Sequence, residues 1–120
     1  MREKQQQDIQ AEGDYAVIFT SVRAATDDEA YAETARCLAA LAEGQPGFLG
    51  MESVRGGDGR GVTVSYWKDR ASIEAWKRQP EHAQARSWGR EGWYERLTVR
   101  ICKVEKEYGF SWVFIENLIE

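Results

Sequence analysis

The segment FLGMESVRGGDGRGVTVSYW, residues 48–67, decides the fold. Residues 48–54 and 61–67 are rich in the β-branched, apolar and aromatic residues that favour strands. The glycines between them can adopt the positive φ angles of a tight turn, so the segment predicts an antiparallel β-hairpin. A nucleotide-binding loop is disfavoured, because neither GxGxxG nor GK[ST] is present and the loop leads into a strand.

A strand and a helix are predicted before the hairpin. Residues 15–22, YAVIFTSV, carry apolar residues on both alternating faces, which indicates a strand that is covered on both sides. Thr26 and Glu29 have the spacing of a capping box, and apolar residues then recur at helical intervals until Gly44. We therefore expect a helix over residues 27–43.

A broken helical unit and a last strand are predicted after the hairpin. Asp69 is suited to cap a short helix, and Pro80 to begin another that runs to about Glu91. From Tyr94 to about Lys106 the pattern is that of a long strand whose apolar residues change faces. Such a change indicates a bulge or a second half that is covered by a different surface.

The order β, α, β-hairpin, α, β predicts an α+β protein with ferredoxin-like βαββαβ topology. Its four-stranded antiparallel sheet would carry the helices on one face. The other face would expose a larger apolar patch than soluble monomers normally show. A second copy packed face to face would cover this patch, so we expect a homodimer.

Two terminal segments flank the predicted domain, which spans residues 15–110. Residues 1–14 are polar and rich in glutamine, so they contain too little apolar surface to order themselves and are expected to be a flexible arm. Residues 111–120 carry six large apolar residues in ten, too few to span a membrane. We expect this tail to pack on the dimer partner.

Composition and charge argue against several classes of partner. The net charge of −4 is spread through the chain, which gives no electrostatic reason to expect nucleic acid or an anionic membrane. No secretory signal pattern and no long apolar run is present, so a cytoplasmic protein is predicted. Cys37, Cys102 and the single histidine are too scattered for a zinc site or a disulfide framework, and both cysteines are expected to be buried thiols.

Residues 64–110 resemble the antibiotic biosynthesis monooxygenase (ABM) family of the dimeric α/β-barrel superfamily. The elements that carry this likeness are Tyr66-Trp67 at a strand end, Trp76, Pro80-Glu81-His82, Gly89, Trp93-Tyr94 and VEKEYGF at 104–110. The likeness extends over about residues 15–110. It implies a dimeric α/β barrel and is weaker evidence for any one substrate, because one fold serves many activities.

The resemblance implies a cofactor-independent monooxygenase. In such an enzyme a small aromatic compound, a phenol or hydroquinone, is deprotonated and reacts with O2 without flavin or metal. This chemistry needs an apolar pocket, an aromatic platform and a donor that stabilises the charge of the phenolate or peroxide. We expect one pocket per subunit, between the sheet and the helices that carry Trp76 and His82.

His82 and Arg86 are the candidate catalytic residues. They lie one helical turn apart, and histidine is the side chain best able to take a proton near neutral pH. Arg86 would pair with the resulting anion. The structural alternatives are that His82 bonds to the preceding loop and that Arg86 pairs with Glu81 or Glu91 at the surface.

The candidate substrate-binding residues are aromatic: Tyr66, Trp67, Trp76 and Trp93. Core packing is an alternative for Trp76, and a core or interface position for Trp93. Tyr66 and Trp67 point to opposite faces of their strand, so at most one of them is expected to line a given cavity.

Two other functions fit the same fold. One is a non-catalytic small-ligand binder or pathway accessory. The other is a haem-degrading oxygenase, whose iron-ligating histidine follows the helix tryptophan by nine or ten residues and whose first strand carries an asparagine. Counting from Trp76 gives Ala85 and Arg86, and the only asparagine is Asn117, so haem degradation is disfavoured.

Overall fold

The computed structural model describes residues 2–7, 14–26 and 28–114, with the side chains of 14–26 and 28–111. The elements in chain order are β1 (Arg2–Gln7), β2 (Tyr15–Arg23), α1 (Asp28–Glu43), β3 (Phe48–Arg55), β4 (Arg60–Trp67), α2 (Arg70–Arg78), α3 (Pro80–Trp88), a π-helical turn (Gly89–Trp93), β5 (Tyr94–Lys103) and β6 (Gly109–Phe114).

The central sheet has the strand order β3-β4-β2-β5, and every neighbouring pair is antiparallel. With the helices on one face, this is the predicted ferredoxin-like α+β fold, which is confirmed. Gly59 adopts a φ of 88° in the turn between β3 and β4, and the Gly56 N–H donates to the Arg60 carbonyl. The predicted hairpin is therefore present.

The helix boundaries follow local capping. Asp69 caps α2 by accepting a 2.7 Å hydrogen bond from the Ser72 N–H, and Pro80 is the first residue of α3, as predicted. Helix α1 spans Asp28–Glu43, and residue 27, where the helix was expected to begin, lies outside the described residues. The Thr26 hydroxyl donates to the Gly92 carbonyl at 3.3 Å, a contact that its place in the sequence did not indicate.

Strand β5 departs from the prediction in two ways. It ends at Lys103 rather than near Lys106, and its register with β2 is regular through Cys102. The irregularity lies at the other end, between Val22 and Arg23 opposite Tyr94. The change of apolar face near Cys102 therefore reflects different surroundings of the two faces rather than a bulge there.

Outside the central sheet, β1 and β6 form a separate antiparallel pair that joins residues 2–7 to 109–114. The segment that was expected to be a flexible arm thus includes a strand, because backbone pairing does not require apolar side chains. Residues 8–13 and 115–120 lie outside the described residues. Packing of the tail on a partner stays a prediction.

The two faces of the central sheet differ in what covers them. The face that carries Trp67 lies under the helices, and we call it the covered face; the opposite face, which carries Ile18, Val54 and Val62, is the open face. Five apolar residues are buried in the part of the chain with described side chains, and three of them are alanines: Ala16, Ala42, Ala85, Trp67 and Ile73. A single chain therefore builds only a thin core.

The open face is largely uncovered in one chain, and it carries apolar side chains among charged ones such as Arg96 and Arg100. Val54 is 75% exposed, and Cys102 is also exposed on this face. The prediction that both cysteines are buried is wrong, since Cys37 is exposed on α1 as well. None of the described helices is long and apolar enough to span a membrane.

Gly47 is the position where the backbone most clearly needs glycine. Its φ is +83°, and an added Cβ would lie 2.0 Å from Ser72 Oγ. We expect Gly47→Ala to lower the free energy of unfolding by about 2 kcal/mol, measured by urea denaturation. Gly57→Ala is the matched control, because nothing lies within 4 Å of its added Cβ; equal stability of the two variants would contradict this account.

Candidate functional site

The helices do not seal the covered face. By register, Leu97, Val99 and Ile101 of β5 share this face with Ser21, Phe19 and Val17 of β2. These three β5 side chains are 39%, 51% and 41% exposed, respectively. The helices therefore leave an accessible strip of apolar surface, which we call the apolar strip, along the β5 side of the sheet.

Hydroxyl side chains occupy the covered face of β3 and β4, where a filled core would carry apolar groups. Ser53 and Thr63 share a 2.7 Å hydrogen bond, and Ser65 Oγ accepts one of 2.9 Å from Trp67 Nε1. A cleft of about 310 Å³ opens between α1 and β3, and Ser53 is the hydroxyl residue in its lining. A larger depression of about 480 Å³ lies mainly on the open face, at the end of the sheet where β2 ends and β4 and β5 begin.

Four rings form an aromatic stack at the end of the covered face where β2 begins: Phe48, Trp67, Trp76 and His82. Trp67 meets Phe48 edge to face at 5.3 Å, measured between centroids. Trp76 stacks on Trp67 at 6.1 Å and on His82 at 4.4 Å. Both faces of the Trp76 ring are thus covered, and the stack fixes the plane of the imidazole.

The hydrogen bonds of His82 define which ring nitrogen is basic. Nδ1 lies 2.9 Å from the Trp76 carbonyl oxygen, and since a carbonyl only accepts, Nδ1 must donate. In the neutral ring Nε2 then carries the lone pair. Burial lowers the pKa of His82, and the charge of Arg86 lowers it further, against the hydrogen bond to Trp76, which raises it.

His82 also makes the structural contact that the sequence left as an alternative. Its backbone N–H donates to Gln79 Oε1 at 2.9 Å. This hydrogen bond fixes the start of α3 against the loop that precedes it. A ring that is held neutral, with Nε2 basic, nevertheless has the protonation state that a general base needs. The catalytic role of His82 stays a prediction.

Arg86 is half-buried one turn after His82 on α3. The surface ion pairs proposed as alternatives are absent from the described part of the chain. The Glu81 carboxylate accepts from the Gln79 amide, and that of Glu91 accepts from Ser87 Oγ at 3.3 Å. Arg86 therefore keeps a charge that these carboxylates do not neutralise, next to the imidazole.

The aromatic candidates do not form a single group. Trp67 is 0% exposed and lies in the core, while Trp76 is half-buried beside His82. Tyr66 lies on the open face, where its hydroxyl donates to the Glu52 carboxylate at 2.9 Å; this bond, with burial, raises the pKa of Tyr66. Trp93 lies in the π-helical turn, 5.5 Å from the Tyr31 ring. Whether any of them contacts a substrate stays a prediction.

Sequence reasoning missed a second polar group at the opposite end of the covered face, which we call the tyrosine–arginine cluster: Arg23, Tyr31, Arg55 and Tyr94. The Tyr31 hydroxyl accepts two hydrogen bonds, one of 3.0 Å from the Tyr94 hydroxyl and one of 3.3 Å from Arg55 Nη2. Arg23 lies over the Tyr31 ring, 3.9 Å from its centroid. These residues come from four elements, so only the strand register could have revealed the cluster.

Metal-ligand chemistry has little support in the described ranges. Among residues 2–7, 14–26 and 28–114, no three His, Cys, Asp or Glu side chains lie close enough together to hold a metal ion.

Comparison with known proteins decides the family. Residues 15–88 match the model of the antibiotic biosynthesis monooxygenase family. The chain belongs to this family. The ABM match covers β2 through α3, and so includes the aromatic stack, His82 and Arg86.

Relatives of this ABM protein agree with the fold. The uncharacterized protein YqjZ of Bacillus subtilis (strain 168) is 50% identical over 97 residues, which cover 81% of this chain and 84% of that protein. SnoaB, a cofactor-independent oxygenase from Streptomyces nogalater, is 14% identical with a TM-score of 0.68 over 79% of this chain and 96% of SnoaB. Rv0793 from Mycobacterium tuberculosis has a TM-score of 0.70 at 14% identity, over 78% of this chain and 97% of Rv0793. At these identities the two solved structures are evidence for the fold alone.

The protonation of His82 gives a direct test of the site. Because it is the only histidine, a proton NMR titration reports one imidazole. We expect a midpoint below the ordinary value of about 6.5, as burial favours the neutral ring. The contribution of the neutral His82 ring to the free energy of unfolding is fully present above pH 6.5. It is lost as the pH falls through the pKa that His82 has in the folded protein. A midpoint at or above 6.5 would contradict the burial of this ring.

Proposed function

We propose that this ABM-family protein is a cofactor-independent monooxygenase that oxidises a small phenol or hydroquinone-like compound with O2. The observation that carries the proposal is the basic Nε2 of His82, held by the aromatic stack beside Arg86. The family supports it, and so does the description of SnoaB as a cofactor-independent oxygenase.

The proposed chemistry assigns each group a step. Nε2 of His82 takes the phenolic proton, and the guanidinium of Arg86 stabilises the phenolate charge. The electron-rich ring carbon then bonds to O2, and the resulting peroxide loses water to leave a quinone. The overall conversion, phenol plus O2 to quinone plus water, balances without an external reductant.

The stack would support this step in a specific way. Trp76 has one face against Trp67 and the other against His82, so its ring orients the imidazole. The substrate platform is then better supplied by the neighbouring apolar strip, whose side chains are accessible. In this proposal Trp76 is a positioning residue, and its backbone carbonyl sets the tautomer of His82.

A second copy of the chain is part of the proposal. The open face carries exposed apolar groups, and burying one such side chain contributes roughly 1.5–3 kcal/mol. Face-to-face dimerisation would cover Val54, Val62 and Cys102 together and complete a dimeric α/β barrel. A cytoplasmic location stays a prediction of the sequence.

Ligand binding without turnover is the second candidate function. The observation that favours it is the cleft between α1 and β3, which combines apolar side chains with the Ser53 hydroxyl and would hold a ligand whether or not O2 reacts there.

Oxygen uptake with a panel of dihydroxyaromatic compounds and no added cofactor tests the enzyme. We expect uptake that falls by at least ~100-fold in His82→Ala, the usual effect of losing a general base, and by a similar factor in Arg86→Ala. The rate should rise with pH through the pKa of His82, since only the neutral ring accepts a proton.

Arg78→Ala is the matched control, because Arg78 is an exposed arginine at the end of α2 and should keep the full rate. Uptake that is unchanged in His82→Ala would overturn the mechanism. Binding of the same compounds without O2 consumption would favour the non-catalytic binder.

A further inference from the structure

The tyrosine–arginine cluster depends on a row of residues that runs across the sheet. Arg55, Gly61, Ser21 and Leu97 are register partners on β3, β4, β2 and β5. The Arg55 guanidinium crosses above Gly61 to donate to Ser21 Oγ at 2.7 Å. A Cβ on Gly61 would lie 2.5 Å from the Arg55 Cζ, so the absence of a side chain there gives the guanidinium its path.

The hydrogen bonds of this cluster leave one donor without an acceptor. The hydroxyls of Tyr31 and Tyr94 share one hydrogen bond but have two protons between them. Arg55 only donates to Tyr31, so it takes neither proton. In the described part of the chain no other side chain accepts the second proton. A hydroxyl that already accepts from a guanidinium and a phenol is a strengthened donor.

The two arginines differ in how their charges are balanced. The Arg23 side chain is 6% exposed and forms a 2.8 Å ion pair with the Asp28 carboxylate. It also donates to the Trp93 carbonyl. Arg55 forms no ion pair with any described carboxylate, and its bond to Tyr31 is exposed. The accessible side of the cluster thus presents a free positive charge beside a free hydroxyl proton.

The apolar strip begins at this cluster. Leu97 is in the same row as Ser21, and Ile101 lies four residues along β5, about 13 Å away at the rise of a strand. A ligand with its polar end at Arg55 would therefore have its body on Leu97 and Val99, directed toward the end of the covered face where β2 begins and the aromatic stack lies. Burial raises the pKa of Tyr94, so the Tyr94 hydroxyl stays protonated in neutral solution.

We propose that Tyr31 and Arg55 form an anion-binding subsite for the carboxylate of an aromatic acid whose ring system lies on the apolar strip. This deepens the proposed function, on which it rests for the choice of an aromatic ligand. The carboxylate accepts from the guanidinium and from the free hydroxyl proton, two charge-assisted hydrogen bonds. The ligand class is then a phenol or hydroquinone that also carries a carboxylate, rather than an uncharged one.

Binding of a matched pair of probes under anaerobic conditions tests the subsite. The probes are 2-naphthoate and its methyl ester, which share a ring system and differ in charge, and calorimetry at pH 7.5 reports the affinity. We expect the acid to bind at least ~10-fold more tightly than the ester, because hydrogen bonds to charged groups contribute about 1.5–3 kcal/mol. Tyr31→Phe and Arg55→Gln should each remove most of this preference and change the affinity for the ester less than twofold.

Arg36→Gln is the control for net charge, because Arg36 is an exposed arginine on α1, five residues after Tyr31. It should keep the preference for the acid. Tyr31→Phe retains the ring that Arg23 and Trp93 contact, so it remains informative if Arg55→Gln lowers the thermal midpoint.

Three results would overturn the subsite. They are equal affinity for the acid and the ester, an equal loss of affinity for both probes in the variants, and no binding of either probe at millimolar concentration. The assay involves no O2. If the protein binds the acid selectively but consumes no oxygen, the monooxygenase proposal fails and the subsite stands. If it consumes oxygen but does not prefer the acid, the subsite fails and the monooxygenase proposal stands.

Discussion

The constraint on which the rest of the structure depends is a sheet with apolar side chains on both faces and too little protein to cover them. The helix layer buries Trp67 and Ile73 but otherwise mainly alanines. A core of this size does not offset the entropy of ordering a domain by itself. In our proposal a second copy covers the open face, and the cleft between α1 and β3 has room for a ligand.

The covered face has different chemistry at its two ends. At one end the aromatic stack holds His82 with a basic Nε2 beside Arg86. At the other end two tyrosines and two arginines present hydrogen-bond donors and positive charge. Helix α3 and the π-helical turn connect these ends, since His82 lies in the first turn of the helix and Trp93 ends the π-helical turn. In our proposals a ligand along this face would be deprotonated at one end and anchored at the other.

Sequence patterns predicted what depends on local signals and missed what depends on register. Asp69 and Pro80 mark helix starts through their own chemistry, and the spacing of His82 and Arg86 indicated that they lie one turn apart on a helix. Their catalytic roles stay predictions. No local signal indicates that Arg55 reaches Ser21 across Gly61, because that contact exists only when three strands pair in one register. Burial of the cysteines was predicted wrongly for a related reason: apolar character does not reveal which side of a strand or helix is covered.

Sedimentation equilibrium at micromolar concentration tests the central claim, that a second copy covers the open face. The account predicts a single species of twice the chain mass of 13.7 kDa, with no folded monomer at the lowest measurable concentration. A well-folded species of 13.7 kDa alone would contradict it, because the exposed apolar surface would then be stable in water without a partner.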